Sequence, residues 1–407
     1  LKKLRIKNYK SIRDSSEFVV KDITCLVGKN ESGKTAILEA IYRLNPLIDA
    51  HLAFVIDEHY PKALLQALPK NNIQWLNESA IVVKAEFTLE DNEVKLLENE
   101  FEPGFLTEPK VEVSKGYDNI LYVDVSYNPA IAVHSLIVHA DLPLPLQEEC
   151  LKCESIEQLY EFLAKKYQAL STEYTKAQEN ARLIDDIVEK SAALSDAKLH
   201  AEPNHATTLR TKLKDILNEG FDAYIFSQFL FPYFPKFLYF DEYNLIKGRE
   251  NLERLLQRQM ENALEPADYP LLGLMDLTGL DIKELAASRR TEALVSELER
   301  ASNQINRSLL KYWSQNKHLV IKFDVRSAKP DDPPGMQEGT NIWGNVYDSI
   351  HQTSTALGKR SRGFLWFFSF LAWFVHLKRE EQPLIFLLDA PGLFLHARAQ
   401  EDLLRYI

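Results

Sequence analysis

Residues Gly28 to Thr35 read GKNESGKT, the strongest chemical signal in the chain. Glycines at the first and sixth positions let the backbone fold until several N–H groups converge, and a phosphate is the anion that suits such a nest. Lys34 is long enough to reach the outer oxygens of a polyphosphate, and the Thr35 hydroxyl suits a hard cation. The phosphate-holding set is therefore Gly28, Lys29, Asn30, Glu31, Ser32, Gly33, Lys34 and Thr35, with ATP and Mg²⁺ as the expected ligands. A second signal is Asp389 in PLIFLLDAPG, a carboxylate at the end of an apolar run, where it can serve the metal. The next residue is Ala390, where a nucleotide hydrolase ordinarily needs a second carboxylate to orient or deprotonate the attacking water. KFLYFDEY, residues 236 to 243, ends in both Asp241 and Glu242 and is by pattern alone the better match.

Elements must hold these groups in place. Ile23, Cys25, Leu26 and Val27 predict a short buried strand ahead of the glycine loop, and Ala36 to Leu44 predict a helix behind it. Leu4, Ile6 and Tyr9 alternate and are followed by a second short apolar run, which predicts a hairpin. Residues 80–89 and 111–127 alternate in the same way and predict antiparallel strands. The stretch GFLWFFSFLAWFVHL, residues 363 to 377, predicts a buried helix and is too short to span a bilayer. A polar turn containing Ser361 leads into it, so Ser361 and Gly363 lie where free helix N–H groups favour an anion.

Taken together, LRIKNYKSI, a short spacer and CLVGKNESGKT resemble the opening of the RecF/SMC-like ABC ATPases, whose loop reads GxNxxGK[ST]. Asp389, Pro391, Gly392, Leu395, His396 and Gln400 resemble the segment DEPGxxLHxxxQ of the overcoming-lysogenisation-defect (OLD) type, with Ala390 in the place of its Glu. The resemblance implies an α/β fold: an ABC-type P-loop NTPase head of mixed sheet and flanking antiparallel strands, with a helical, coiled-coil-like insertion. It gives Asp389, the Ala390 position and His396 to catalysis, Thr35 and Asp389 to Mg²⁺, and Ser361 and Gly363 to the γ-phosphate held by an opposite protomer. A homodimer or higher homo-oligomer through ATP-bound heads follows, with DNA and a nuclease or effector as candidate partners. An introduced Glu-to-Ala change, which would trap the bound state, fits position 390 better than a naturally inactive head. An ATP-binding regulatory protein, an ABC transport subunit and a P-loop kinase stand as rival readings.

The expected organisation is an N-terminal lobe over 1–150, a helical arm over 151–317 with a strand near 236–243 returning to the head, and a C-terminal lobe over 318–407. Apolar residues from Ile156 to Val188 recur every three or four positions, which predicts one long helix, and residues 285–313 supply a candidate antiparallel partner. An ordinary helical subdomain fits the same stripe. The 407 residues, 45% hydrophobic and 26% charged, suffice for a large core and more than one unit. A net charge of −11 excludes a surface basic all over, though Lys2, Lys3, Arg5, Lys7 and Lys10 cluster, as do Lys359, Arg360 and Arg362. Cys150 and Cys153 lack the second pair of a structural zinc site, and no secretion signal opens the chain, so the expected compartment is the cytoplasm. The start at Leu1 and the end within an apparent helix suggest part of a longer protein.

Overall fold

A computed structural model describes residues 1–48, 52–65, 80–166, 204–287, 292–377, 383–391 and 393–406. Its contacts divide the chain into two units, Leu1–Asn45 with Asp49–Pro235, and Pro46–Ile48 with Lys236–Ile407.

The first unit is built on an antiparallel sheet in the order β2-β1-β4-β5-β6, with β3 also paired to β1. Strands β1 (Lys3–Tyr9) and β2 (Ile12–Asp14) form the predicted N-terminal hairpin, and β3 is Phe18–Val19. Strands β4 (Ile81–Thr88), β5 (Leu106–Gly116) and β6 (Leu121–Tyr127) match the two other alternating stretches. Leu4 lies opposite Ala85 and Ile6 opposite Val83, all four buried, because the period of two sends one set of side chains to the same face. The β5–β6 turn is pinned by Asn119, whose Oδ1 accepts from Phe54 N–H at 2.6 Å while its Nδ2 donates to Phe54 O at 3.1 Å.

Two expectations change in this unit. Residues 23–27 form no strand, and Ile23 and Val27 are 67% and 89% exposed. The Thr24 hydroxyl accepts from Lys21 N–H at 2.9 Å and donates to Lys21 O, a local turn that competes with ladder formation. The unit also does not end near residue 150. Phe101, Phe105 and Tyr127 pack on Phe221, with centroids 5.7, 6.3 and 4.9 Å away, and Val125 N–H donates to Asp222 Oδ1 at 2.8 Å. These contacts tie residues 204–235 to the N-terminal sheet. Of the long helix predicted over 155–188, only 156–166 is among the described residues, and it is helical. Cys150 is buried, and burial pushes its thiol up to about 11, which suits an inert side chain.

In the second unit, β7 (Lys236–Phe240) and β12 (Leu384–Leu388) form a parallel pair, registered from Lys236 opposite Leu384 to Phe240 opposite Leu388. On the antiparallel side, β10 (Thr340–Asp348) pairs along its length with β9 (Leu319–Ser327). The other edge of β10 is shared by β8 (Arg249–Asn251) and β11 (Thr353–Ala356). Helix Arg362–Leu377 is apolar all round, and every residue from Gly363 to Phe374 is buried, as such a helix requires. Among the described residues no helix is long and apolar enough to cross a membrane.

The stripe at 285–313 is not half of an arm. It becomes two helices, Ile282–Ala287 and Glu292–Ser308, on either side of the undescribed 288–291. Leu294, Leu298, Ala301 and Ile305 are buried. Asn306 seals the second helix to β9 by donating to Ile321 O at 2.9 Å and accepting from Ile321 N–H at 2.8 Å. The apolar face is thus consumed within its own unit, and the boundary expected at 317 falls inside a shared core.

The loop 328–339 is held by Asp332, which takes two bonds from the Arg326 guanidinium at 2.6 and 2.9 Å and one from Lys329 N–H at 2.8 Å. The guanidinium is the largest cause of a carboxyl lowered to about 2. A carboxylate depressed in the folded state stabilises above its unfolded value, about 3.9, and that contribution is lost as pH falls through the folded value. The denaturation midpoint should therefore fall between about pH 4 and pH 2, and Asp332→Asn should flatten the curve in that window.

Candidate functional site

The glycine loop leads directly into helix Lys34–Tyr42. Gly33 caps that helix with φ at +93°, in the left-handed region where a side chain is strained. A Cβ there would also meet Ile12 Cγ1 and Ser11 Oγ, each at 3.2 Å. The first helical backbone bond runs from Ile37 N–H to Gly33 O at 2.9 Å, so the N–H groups ahead of it have no intrahelical partner. No acidic residue lies in that first turn and no side chain caps it, so nothing of the chain's own competes for an anion. Lys34 folds back over the loop, donating to Gly28 O at 2.9 Å and Lys29 O at 2.7 Å. Lys29, Asn30, Glu31, Ser32 and Thr35 are exposed around it. These donors fit a polyphosphate, and the Thr35 hydroxyl fits a hard cation beside it.

Behind the loop, the helix is anchored to β1. Tyr9 donates to Glu39 Oε2 at 3.3 Å, Lys10 pairs with the same carboxylate, and the Arg43 guanidinium stacks over the Tyr9 ring at 5.6 Å. Burial raises the Tyr9 hydroxyl well above its ordinary value, so it remains a donor. The NYK turn that the sequence supplies thus fixes the helix whose start forms the phosphate nest.

In the second unit the two rival acidic strand ends prove to be neighbours. Since β7 and β12 run parallel in register, Asp241 and Asp389 follow adjacent paired residues, and Asp389 N–H extends the ladder to Phe240 O at 3.1 Å. Tyr239 donates to Asp389 Oδ2 at 2.9 Å, a partner that the sequence pattern did not reveal. Asp241 accepts from Tyr243 N–H at 2.7 Å and begins a short 3₁₀ turn, Glu242–Asn244. Burial is the main cause raising the Asp241 carboxyl above the ordinary range, and the charges of Asp389 and Glu242 add to it. Ala390 is exposed, with φ at +49°.

Ser361 and Gly363 lie at the start of helix Arg362–Leu377, but they face different surroundings. Ser361 is exposed, and its Oγ accepts from Phe364 N–H at 3.3 Å as a helix cap. Gly363 is buried, and a Cβ on it would lie 2.3 Å from Phe394 O, so close backbone packing accounts for the glycine. Ser354, Thr355, Ala356, Lys359, Arg360 and Ser361 line a cleft of about 550 Å³. Its hydroxyls and two cations suit an anion, and the contribution of β11 was hidden in the sequence because that strand lacks any apolar period. His396 is exposed, and its carbonyl accepts from Ala399 and Gln400 N–H at the start of helix Ala397–Tyr406. Gln400 donates to Leu395 O at 3.0 Å, while Gly392 lies outside the described residues.

No curated protein matches the chain. Among solved structures it aligns over 100% of its length with 89% of a chain described as the Smc head domain with a coiled coil and joint derived from Pyrococcus yayanosii. Identity there is 11% and the TM-score is 0.31. The model of the AAA ATPase domain matches residues 1–407, so the chain belongs to that family of ATPase domains.

Proposed function

We propose that this chain is the ATP-binding and hydrolysing head of a RecF/SMC-like ATPase of the OLD type, dimerising around two ATP. The observation that carries the reading is the acid-free helix start at Lys34, capped by left-handed Gly33 behind GKNESGKT. In this reading the loop N–H groups hold the β-phosphate, and Lys34 leaves the Gly28 and Lys29 carbonyls for the outer phosphate oxygens. Thr35 and Asp389 would hold Mg²⁺, which when bound neutralises phosphate charge. Tyr239 orients the Asp389 carboxylate by its hydrogen bond. Ser361, Lys359 and Arg360 line the cleft offered to the γ-phosphate held by a second copy, and dimerisation is thereby linked to ATP.

Ala390 supplies no base, so the chain binds ATP as a switch and turns it over slowly. Such a head would act in the cytoplasm in DNA processing or prokaryotic anti-phage defence, coupled to a nuclease domain or partner.

Replacing Lys34 by Ala should abolish ATP binding measured by titration calorimetry, because the main cation for the outer phosphates is removed. Light scattering should show ATP-dependent dimers for the parent chain and none for this variant. Undiminished binding by the variant, or no association of the parent with ATP, would contradict the corresponding part of the reading.

A further inference from the structure

The chain has a second carboxylate within reach of the place where position 390 has none. We propose that Glu242 directs and deprotonates the water that attacks the γ-phosphate, an assignment that rests on the ATPase reading above. Parallel pairing in register brings the two chain segments off the sheet side by side: residues 241 and 242 follow Phe240, and residues 389 and 390 follow Leu388. Adjacent strands are about 4.8 Å apart, comparable to the length of a Glu side chain, so a Glu one residue past Asp241 covers ground open to a Glu at 390.

The two acidic residues of β7 are not equivalent. Asp241 is committed to the turn, accepting from Tyr243 N–H while its own N–H donates to Asn244 Oδ1 at 2.9 Å. That reciprocal cap fixes the direction in which the chain leaves the strand. Glu242 is half exposed and meets Arg362 Nη1 at 3.5 Å. Arg362 also lies over the Phe394 ring at 5.2 Å, beyond the end of β12, so one guanidinium touches the segments following both strands. The Arg362–Glu242 pair is well solvated on both sides, and such a pair is weak enough to exchange. It holds Glu242 at the strand ends without consuming it.

In the hydrolytic step, the water oxygen forms a bond to the γ-phosphorus and the bond from that phosphorus to the β–γ bridging oxygen breaks. The electron pair leaves with ADP. The water proton passes to the Glu242 carboxylate and then to solvent, so the side chain is regenerated.

The test uses four versions of the full chain: the parent, Glu242→Gln, Ala390→Glu and the double variant. Binding of a fluorescent ATP analogue is measured first, and then phosphate release. All four should bind. In the parent background Glu242→Gln should lower the slow phosphate release by about 10²-fold or more. With a carboxylate restored at 390, the same substitution should cost under about tenfold, because the two groups serve one role. Phosphate release by Glu242→Gln at the parental rate would overturn the proposal. So would a parent that binds ATP yet releases no phosphate, or an undiminished loss in the Ala390→Glu background, which marks a structural role. Absence of ATP binding in the parent would overturn the ATPase reading and this assignment together.

Discussion

Replacing Ala390 by Glu should raise steady-state ATP turnover by roughly 10² to 10⁴, the range associated with a positioned general base. Position 390 follows Asp389 at the end of β12, and its side chain is exposed, so a longer residue meets no packed wall. Its φ of +49° strains any residue with a Cβ, Ala as much as Glu, and the substitution therefore adds a carboxylate without adding backbone strain. Nucleotide affinity should change little, since the phosphate nest belongs to Gly28–Thr35. A phosphate-release assay decides the matter. An unchanged rate would remove the Asp389–Ala390 strand end from the hydrolytic assignment and leave Asp241 and Glu242 as the remaining acidic strand end.

The largest effect on stability is expected from Phe240→Ala. Phe240 is fully buried at the last position of β7, with Trp366 5.3 Å and Phe370 5.4 Å away in edge-on contact and Trp373 6.0 Å away. Removing a ring from such a site costs about 3–5 kcal/mol, because the lost burial is joined by a cavity that rigid neighbours cannot close. That is a large share of the roughly 5–15 kcal/mol by which domains are stable. Denaturation followed by tryptophan fluorescence reports on this core directly, since Trp366 and Trp373 line it. The midpoint should fall sharply, and the variant should also lose hydrolysis because Phe240 sets the positions of Asp241 and Asp389. A midpoint within experimental error of the parent would show that this aromatic cluster repacks freely.

The site was legible to the extent that its chemistry is local. GKNESGKT names its own donors, because a left-handed glycine and a helix start are properties of neighbouring residues. The aromatic run from Gly363 to Leu377 was equally plain, since a segment apolar on every side has to be buried. Patterns that depend on distant partners misled. Ile23 to Val27 look like a buried strand, yet a strand exists only where another backbone pairs with it, and Thr24 diverts the chain into a turn. The stripe from Leu294 to Ile305 fits a coiled coil as well as a helix on a sheet, and β9 takes it.

The sequence by itself determined the phosphate loop, the acidic strand ends and the residue types at each, because these follow from spacing along the chain. Only tertiary structure decided that Asp241 and Asp389 are neighbours rather than competitors. They are 148 positions apart by their numbers, and no local period encodes the parallel register that sets them side by side. The same is true of Gly363, whose missing side chain answers to the Phe394 carbonyl folded over it. Contacts of this kind depend on loop closure across long stretches of chain, which hydrophobic packing compensates only when both partners are already in place.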